Sequence, residues 1–151
     1  MKAAVLVLAA LLSGCGGAAA GWLEQLRAAH AEADALVLAA APEKAAQALD
    51  RARALPPPSG IAAADRRAVL MDLDGRRALF ALDAGNGKLA AQLATDGLSL
   101  GEGKDALTAA LFILRGRAHE ALRQDAEAVR DYEAAQAIDE ALLDRLLTNK
   151  P

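Results

Sequence analysis

The 151-residue chain is 54% hydrophobic but only 3% aromatic, and its formal net charge is −3. Its single cysteine leaves no internal disulfide to staple the fold, and no basic cluster is dense enough for nucleic acid. Alanine, the strongest helix former, makes up about a quarter of the residues, whereas β-branched residues are few; an all-helical fold is predicted.

The chain opens with Met1-Lys2 and runs without a charge to Leu12. A basic start, an apolar run of about ten residues and then small residues form the layout of a secretory signal. The run is shorter than the roughly 20 apolar residues that span a bilayer. At its end, Leu12-Ser13-Gly14-Cys15 resembles the lipobox of bacterial lipoproteins. That resemblance implies cleavage before Cys15, a lipid on the cysteine sulfur and, usually, acylation of the new amino group. Two or more acyl chains anchor a protein firmly, where one holds it only marginally. Residues 1–14 are then a signal peptide, 15–21 the lipidated cysteine with a short small-residue tether, and 22–147 a helical domain. Gly16 stands where an Asp favours retention in the inner membrane, so the resemblance places the anchor in the outer membrane, facing the periplasm. Loss of Lys2 with the signal shifts the charge to about −4.

A first helix is expected over about 22–40 and, after the break at Pro42, a second over about 43–55. Pro56-Pro57-Pro58-Ser59-Gly60 ends it. A third, over about 61–84, carries Val69, Leu70, Leu73, Leu79, Phe80 and Leu82 at helical spacing, with Asp72 and Arg76 four apart on its surface. Gly85-Asn86-Gly87 marks a turn, a short fourth helix covers about 88–95, and Asp96-Gly97 with Gly101-Glu102-Gly103 marks a loop. Asp105 is placed to cap a fifth helix reaching about residue 122, and Asp125 a sixth from 126 to about 147. Three helix pairs result, at about 22–55, 61–97 and 105–139.

The third pair has Phe112, Gly116 and His119 on its first helix and Ala128, Tyr132 and Ala135 on its second. This pattern resembles the tetratricopeptide repeat, in which small residues let two helices cross closely and an aromatic fills the space beside them. Arg115 stands where the family has leucine, and Glu140 where it has proline. The first pair keeps Ala45, Leu49, Ala52 and Pro57, with Ala33 in place of the glycine. In the middle pair Gly75 takes the glycine position, Ala94 and Gly97 supply no aromatic, and the turn at 83–87 reads as too long or misplaced. The resemblance implies an all-α short solenoid of about six helices in stacked antiparallel pairs.

Other motifs carry little chemistry. Gly85-Asn86-Gly87-Lys88 and Gly101-Glu102-Gly103-Lys104 lack the spacing, the Ser or Thr and the preceding strand of a phosphate loop. His30 and His119 have no set of partners at metal-ligand spacing, and no Ser–His–Asp arrangement emerges. No catalytic residue, metal or cofactor is expected beyond the lipid on Cys15, and the chain reads as a non-enzyme.

Tetratricopeptide proteins bind peptides or partner proteins on the concave surface lined by their first helices. The resemblance places Arg27, His30, Asp34, Asp72, Arg76, Arg117 and Glu120 along that groove. The expectation is a lipid-anchored periplasmic adaptor that binds a protein or peptide partner in envelope assembly, secretion or pilus biogenesis, with self-association on a small surface. The alternative is a small-molecule-binding lipoprotein serving a transporter.

Overall fold

In the computed structural model, residues 17–101 and 103–148 are described, and they form an all-helical protein. Among them are six helices: α1 (Gly17–Leu38), α2 (Pro42–Arg53), α3 (Ala63–Asp83), α4 (Gly87–Ser99), α5 (Ala106–Ala121) and α6 (Asp125–Thr148). Each helix packs on the next, and α3 also reaches α5, so the helix pairs stack in order along the chain. Two boundaries differ from expectation. α1 begins at Gly17, so the small residues read as a tether are helical from that point. α4 continues to Ser99, through Asp96-Gly97, because Gly97 is buried where its missing side chain makes room for Leu111.

The turns inside the three pairs are the same. Each is three residues long, and the middle one has positive φ: Ala40 at 55°, Gly85 at 75° and Arg123 at 60°. Each closes with the same two backbone bonds that satisfy the last carbonyls of a helix. Ala41, Asn86 and Gln124 donate to the carbonyls of Leu36, Ala81 and His119 at 2.8–2.9 Å, and Ala40, Gly85 and Arg123 donate to Val37, Leu82 and Glu120. The middle turn is thus neither long nor misplaced. Only Gly85 takes this conformation without steric cost, and for that reason the other two turns carry no glycine signal.

Counting from these turn residues puts the three units in register. Seven residues before stand Ala33, Ala78 and Gly116, and five residues after stand Ala45, Ala90 and Ala128; all are buried. The small residue of the middle unit is therefore Ala78, not Gly75. Small side chains at both places let the two helices of each pair approach closely, and the bulky residues on either side fill the remaining space.

The interior is serial. Trp22, Leu23, Leu26, Leu49, Leu73 and Phe80 join α1, α2 and α3. Met71, Ala78, Leu93, Leu98 and Leu111 join α3, α4 and α5, and Ala109, Ala135 and Ile138 join α5 to α6. Each buried leucine contributes about 1.5–3 kcal/mol. α3 faces both ways, with Val69, Leu73 and Phe80 in one cluster and Met71, Ala78 and Ala81 in the next.

Candidate partner-binding surface

α1 and α3 bring four of the seven expected groove residues together. Arg76 donates to Nδ1 of His30 at 2.7 Å and to a carboxylate oxygen of Asp34. Because Nδ1 accepts, the ring proton of neutral His30 sits on Nε2, which faces Asp72 at 3.5 Å. Arg76 therefore reaches across to α1 rather than pairing with Asp72 one turn away. Its guanidinium also lies 5.6 Å from the centre of the Phe80 ring, a cation–π contact that holds it in place. Burial and the adjacent Arg76 charge push the His30 imidazole below its ordinary range, against the pull of Asp72 and Asp34. Burial raises Asp72, against the opposing charges of His30 and Arg76.

The other three lie elsewhere. Arg27 pairs with Glu24 at 3.6 Å along the outside of α1. Glu120 accepts the Tyr132 hydroxyl at 2.6 Å, so it is turned towards α6, and the exposed Arg117 lies close enough to affect the same phenol. Burial, the hydrogen bond to Glu120 and that carboxylate's charge push the Tyr132 hydroxyl up to about 12. Beside the α1–α3 cluster a shallow groove of 150 Å³ runs between α3 and α5, with Asp72 and Arg76 at its polar edge and Leu79, Leu107, Ala110 and Leu114 among its apolar walls.

The residues singled out in the third pair also take defined places. Gly116 lies flat against Tyr132, and a Cβ there would meet the ring at 2.6 Å. Ala128 and Ala135 are buried, and Phe112 spans two of the apolar clusters with Arg115 5.3 Å from its ring. His119 is half-buried, bonded through Nδ1 to Gln124 at 2.7 Å, with Nε2 3.8 Å from Asp131.

Sequence reasoning missed the buried ion pairs. Asp74 is 0% exposed and accepts from both Nε and Nη2 of Arg53, at 2.6 and 3.0 Å, and from Arg77 at 2.7 Å. Arg77 also meets Asp50 at 2.5 Å. Asp131, also buried, takes a two-pronged bond from Arg115 at 2.8 and 2.6 Å, whereas Glu32 pairs with Arg51 at 2.7 Å on the exposed surface. One signal was present: the residue just before each small residue of the first helix is charged (Glu32, Arg77, Arg115), and each has a partner on another helix.

Cys15, the candidate lipidation site, lies outside the described residues, as does the signal segment. Among the described residues no helix is long and apolar enough to cross a membrane, and no three His, Cys, Asp or Glu side chains converge on a metal site. The chain matches no family model, and neither a curated protein nor a solved structure is significantly similar to it.

Proposed function

We propose that the chain is a lipid-anchored adaptor of the bacterial envelope, held through Cys15, that binds a protein or peptide segment on the surface formed by α1, α3 and α5. The observation that carries this reading is the recurrence of one helix–turn–helix unit three times in register. Stacked units of this kind build an extended surface from their first helices and use it for recognition. The small residues and close helix crossing are those of a tetratricopeptide-like unit, which supports the same reading. On that surface the Arg76–His30 cluster supplies polar, mixed-charge contacts beside the apolar α3–α5 groove, a combination suited to an extended polar segment with one or two apolar anchors.

Site-directed photo-crosslinking in the native host tests it. A photoreactive residue at Ala110, on the wall of the groove, is expected to capture a discrete envelope protein, and one at the exposed Gln47 of α2 is not. Equal capture from both positions, or none from Ala110, removes the groove from the reading. Mass spectrometry of the mature N-terminal peptide tests the anchor separately: an unmodified Cys15 still preceded by residues 1–14 removes the lipoprotein assignment.

A further inference from the structure

In the register set by the turns, units one and two each present a platform that the first helix of the next unit covers. In unit one the platform is His30, Leu49, Ala52 and Arg53, and α3 lies on it, bringing Leu73 to the leucine, Arg76 to His30 and Asp74 to Arg53. In unit two it is Gly75, Ala94, Gly97 and Leu98; α5 covers it, and Leu111 sits within 3.0 Å of where a Gly97 Cβ would be and 3.5 Å of one at Gly75. The equivalent residues of unit three are Ile113, Tyr132, Ala135 and Gln136. Among the described residues no further helix lies on them: Ile113 and Gln136 are exposed, Tyr132 is half-buried, and Ala135 is buried only against Ala109 and Ile138 of its own unit. Together they line an open groove of 380 Å³ that continues past Asp139 and Glu140 to Leu143. Leu143, Leu146 and Leu147 extend the apolar surface along the end of α6 at 56%, 75% and 61% exposure.

We infer that this end of the stack is a second docking site, and that its occupant is an amphipathic helix of another protein, apolar along one stripe and bearing lysine or arginine at its middle. The geometry calls for a helix, because twice in this chain the equivalent platform seats one. The charge follows from complementarity: where unit one offers Arg53 and receives Asp74, unit three offers Gln136, Asp139 and Glu140, and among the described residues the groove lining holds no cation, Arg117 lying outside it near the Tyr132 hydroxyl.

A second copy fits poorly. Where α3 presents Leu73 and α5 presents Leu111, α1 presents the exposed Ala28, flanked one turn away on either side by the exposed Glu24 and Glu32. Glu24 and Glu32 already hold Arg27 and Arg51, so what head-to-tail stacking would lack is a large apolar anchor opposite the platform beside Asp139 and Glu140. Antiparallel pairing of two α6 helices would gather the same carboxylates about the two-fold axis. Anionic lipid headgroups meet the same repulsion.

Peptide titration of the full chain carrying Cys15→Ser tests the site. The probe is a fluorescent peptide of about 20 residues, long enough to span some 30 Å as a helix, with leucines at i, i+3, i+4 and i+7 spacing and two central lysines. Its twin carries two central glutamates. The lysine peptide is expected to bind at least about tenfold more tightly than its twin. Asp139→Lys with Glu140→Lys should invert that order. Leu143→Ser should weaken the lysine peptide by a similar factor with circular dichroism unchanged, because Leu143 is exposed. Equal affinities, failure of the charge reversal to invert them, or no binding of either peptide overturns the proposal. So does a dimer, or adhesion to anionic vesicles, that Leu143→Ser abolishes.

Discussion

Gly116 and Gly75 occupy first helices of neighbouring units, yet their surroundings differ. A Cβ at Gly116 would press on the Tyr132 ring at 2.6 Å, whereas at Gly75 it would find Leu111 and Leu114 at 3.5–3.6 Å, an ordinary contact. Replacing glycine with alanine in a helix interior gains about 0.5–1 kcal/mol where there is room. Overpacking a filled site costs about 1–3 kcal/mol. Gly75→Ala is therefore expected to raise the urea midpoint, and Gly116→Ala to lower it with a net loss of about 1–2 kcal/mol. If both substitutions stabilise, the close approach of α5 and α6 at Tyr132 is not a constraint on the fold. The sequence singled out Gly116 because Ala128 and Tyr132 follow it at a recognisable spacing, and the Tyr132 ring lies against it. It misassigned Gly75, because a glycine in a helix looks the same whether the helix packed against it leaves room for a side chain or leaves none.

At the scale of elements, the repeated turn decides how each pair closes. Ala40 and Arg123 hold the same left-handed conformation as Gly85, and a side chain there costs roughly 1 kcal/mol. The three helix ends keep it because two backbone bonds in each turn satisfy carbonyls that would otherwise be unpaired. Ala40→Gly and Arg123→Gly should each raise stability by about 0.5–1 kcal/mol, after allowing for the freedom glycine adds to the unfolded chain. Gly85→Ala should lower it by a similar amount. Thermal melts of the three variants check the set; a destabilising Ala40→Gly would show that this helix end is held by its side-chain packing instead. Helix existence was legible from alanine content, proline breaks and the cap at Asp105, which accepts the Thr108 amide at 2.8 Å. The turn at Ala40 left no mark, since alanine there reads as more helix.

At the scale of the whole molecule, the stack is held by neighbour-to-neighbour contacts rather than by one central core. The joint between the first and second units depends on Asp74, fully buried on α3 and gripped by Arg53 of α2 and by Arg77. Removing one partner of a buried pair leaves uncompensated charge and typically costs about 3–5 kcal/mol. Arg53 is partly solvated and Arg77 keeps Asp50, so Asp74→Ala is expected near the lower end, about 3 kcal/mol. Hydrogen exchange should show the loss concentrated in α1–α3, with α5 and α6 protected as before. A loss below about 1 kcal/mol would class the fork with exposed ion pairs, which contribute little.

The sequence by itself determined that the chain is helical, where most of its helices break, and that its last pair crosses closely, because propensity, capping and small-residue spacing are local properties. It also raised the lipobox expectation at Cys15, a pattern of adjacent residues. Only the tertiary structure decided which charges face inward, that Arg76 reaches His30 and Asp34 forty-odd residues away, and that three unlike turns share one geometry. Those features depend on which helix faces come together. Arg27, Arg117 and Glu120 look like His30 and Arg76 when read along the chain, and only the stacking of the units separates a charge gathered into the α1–α3 cluster from one left on its own helix or turned towards α6.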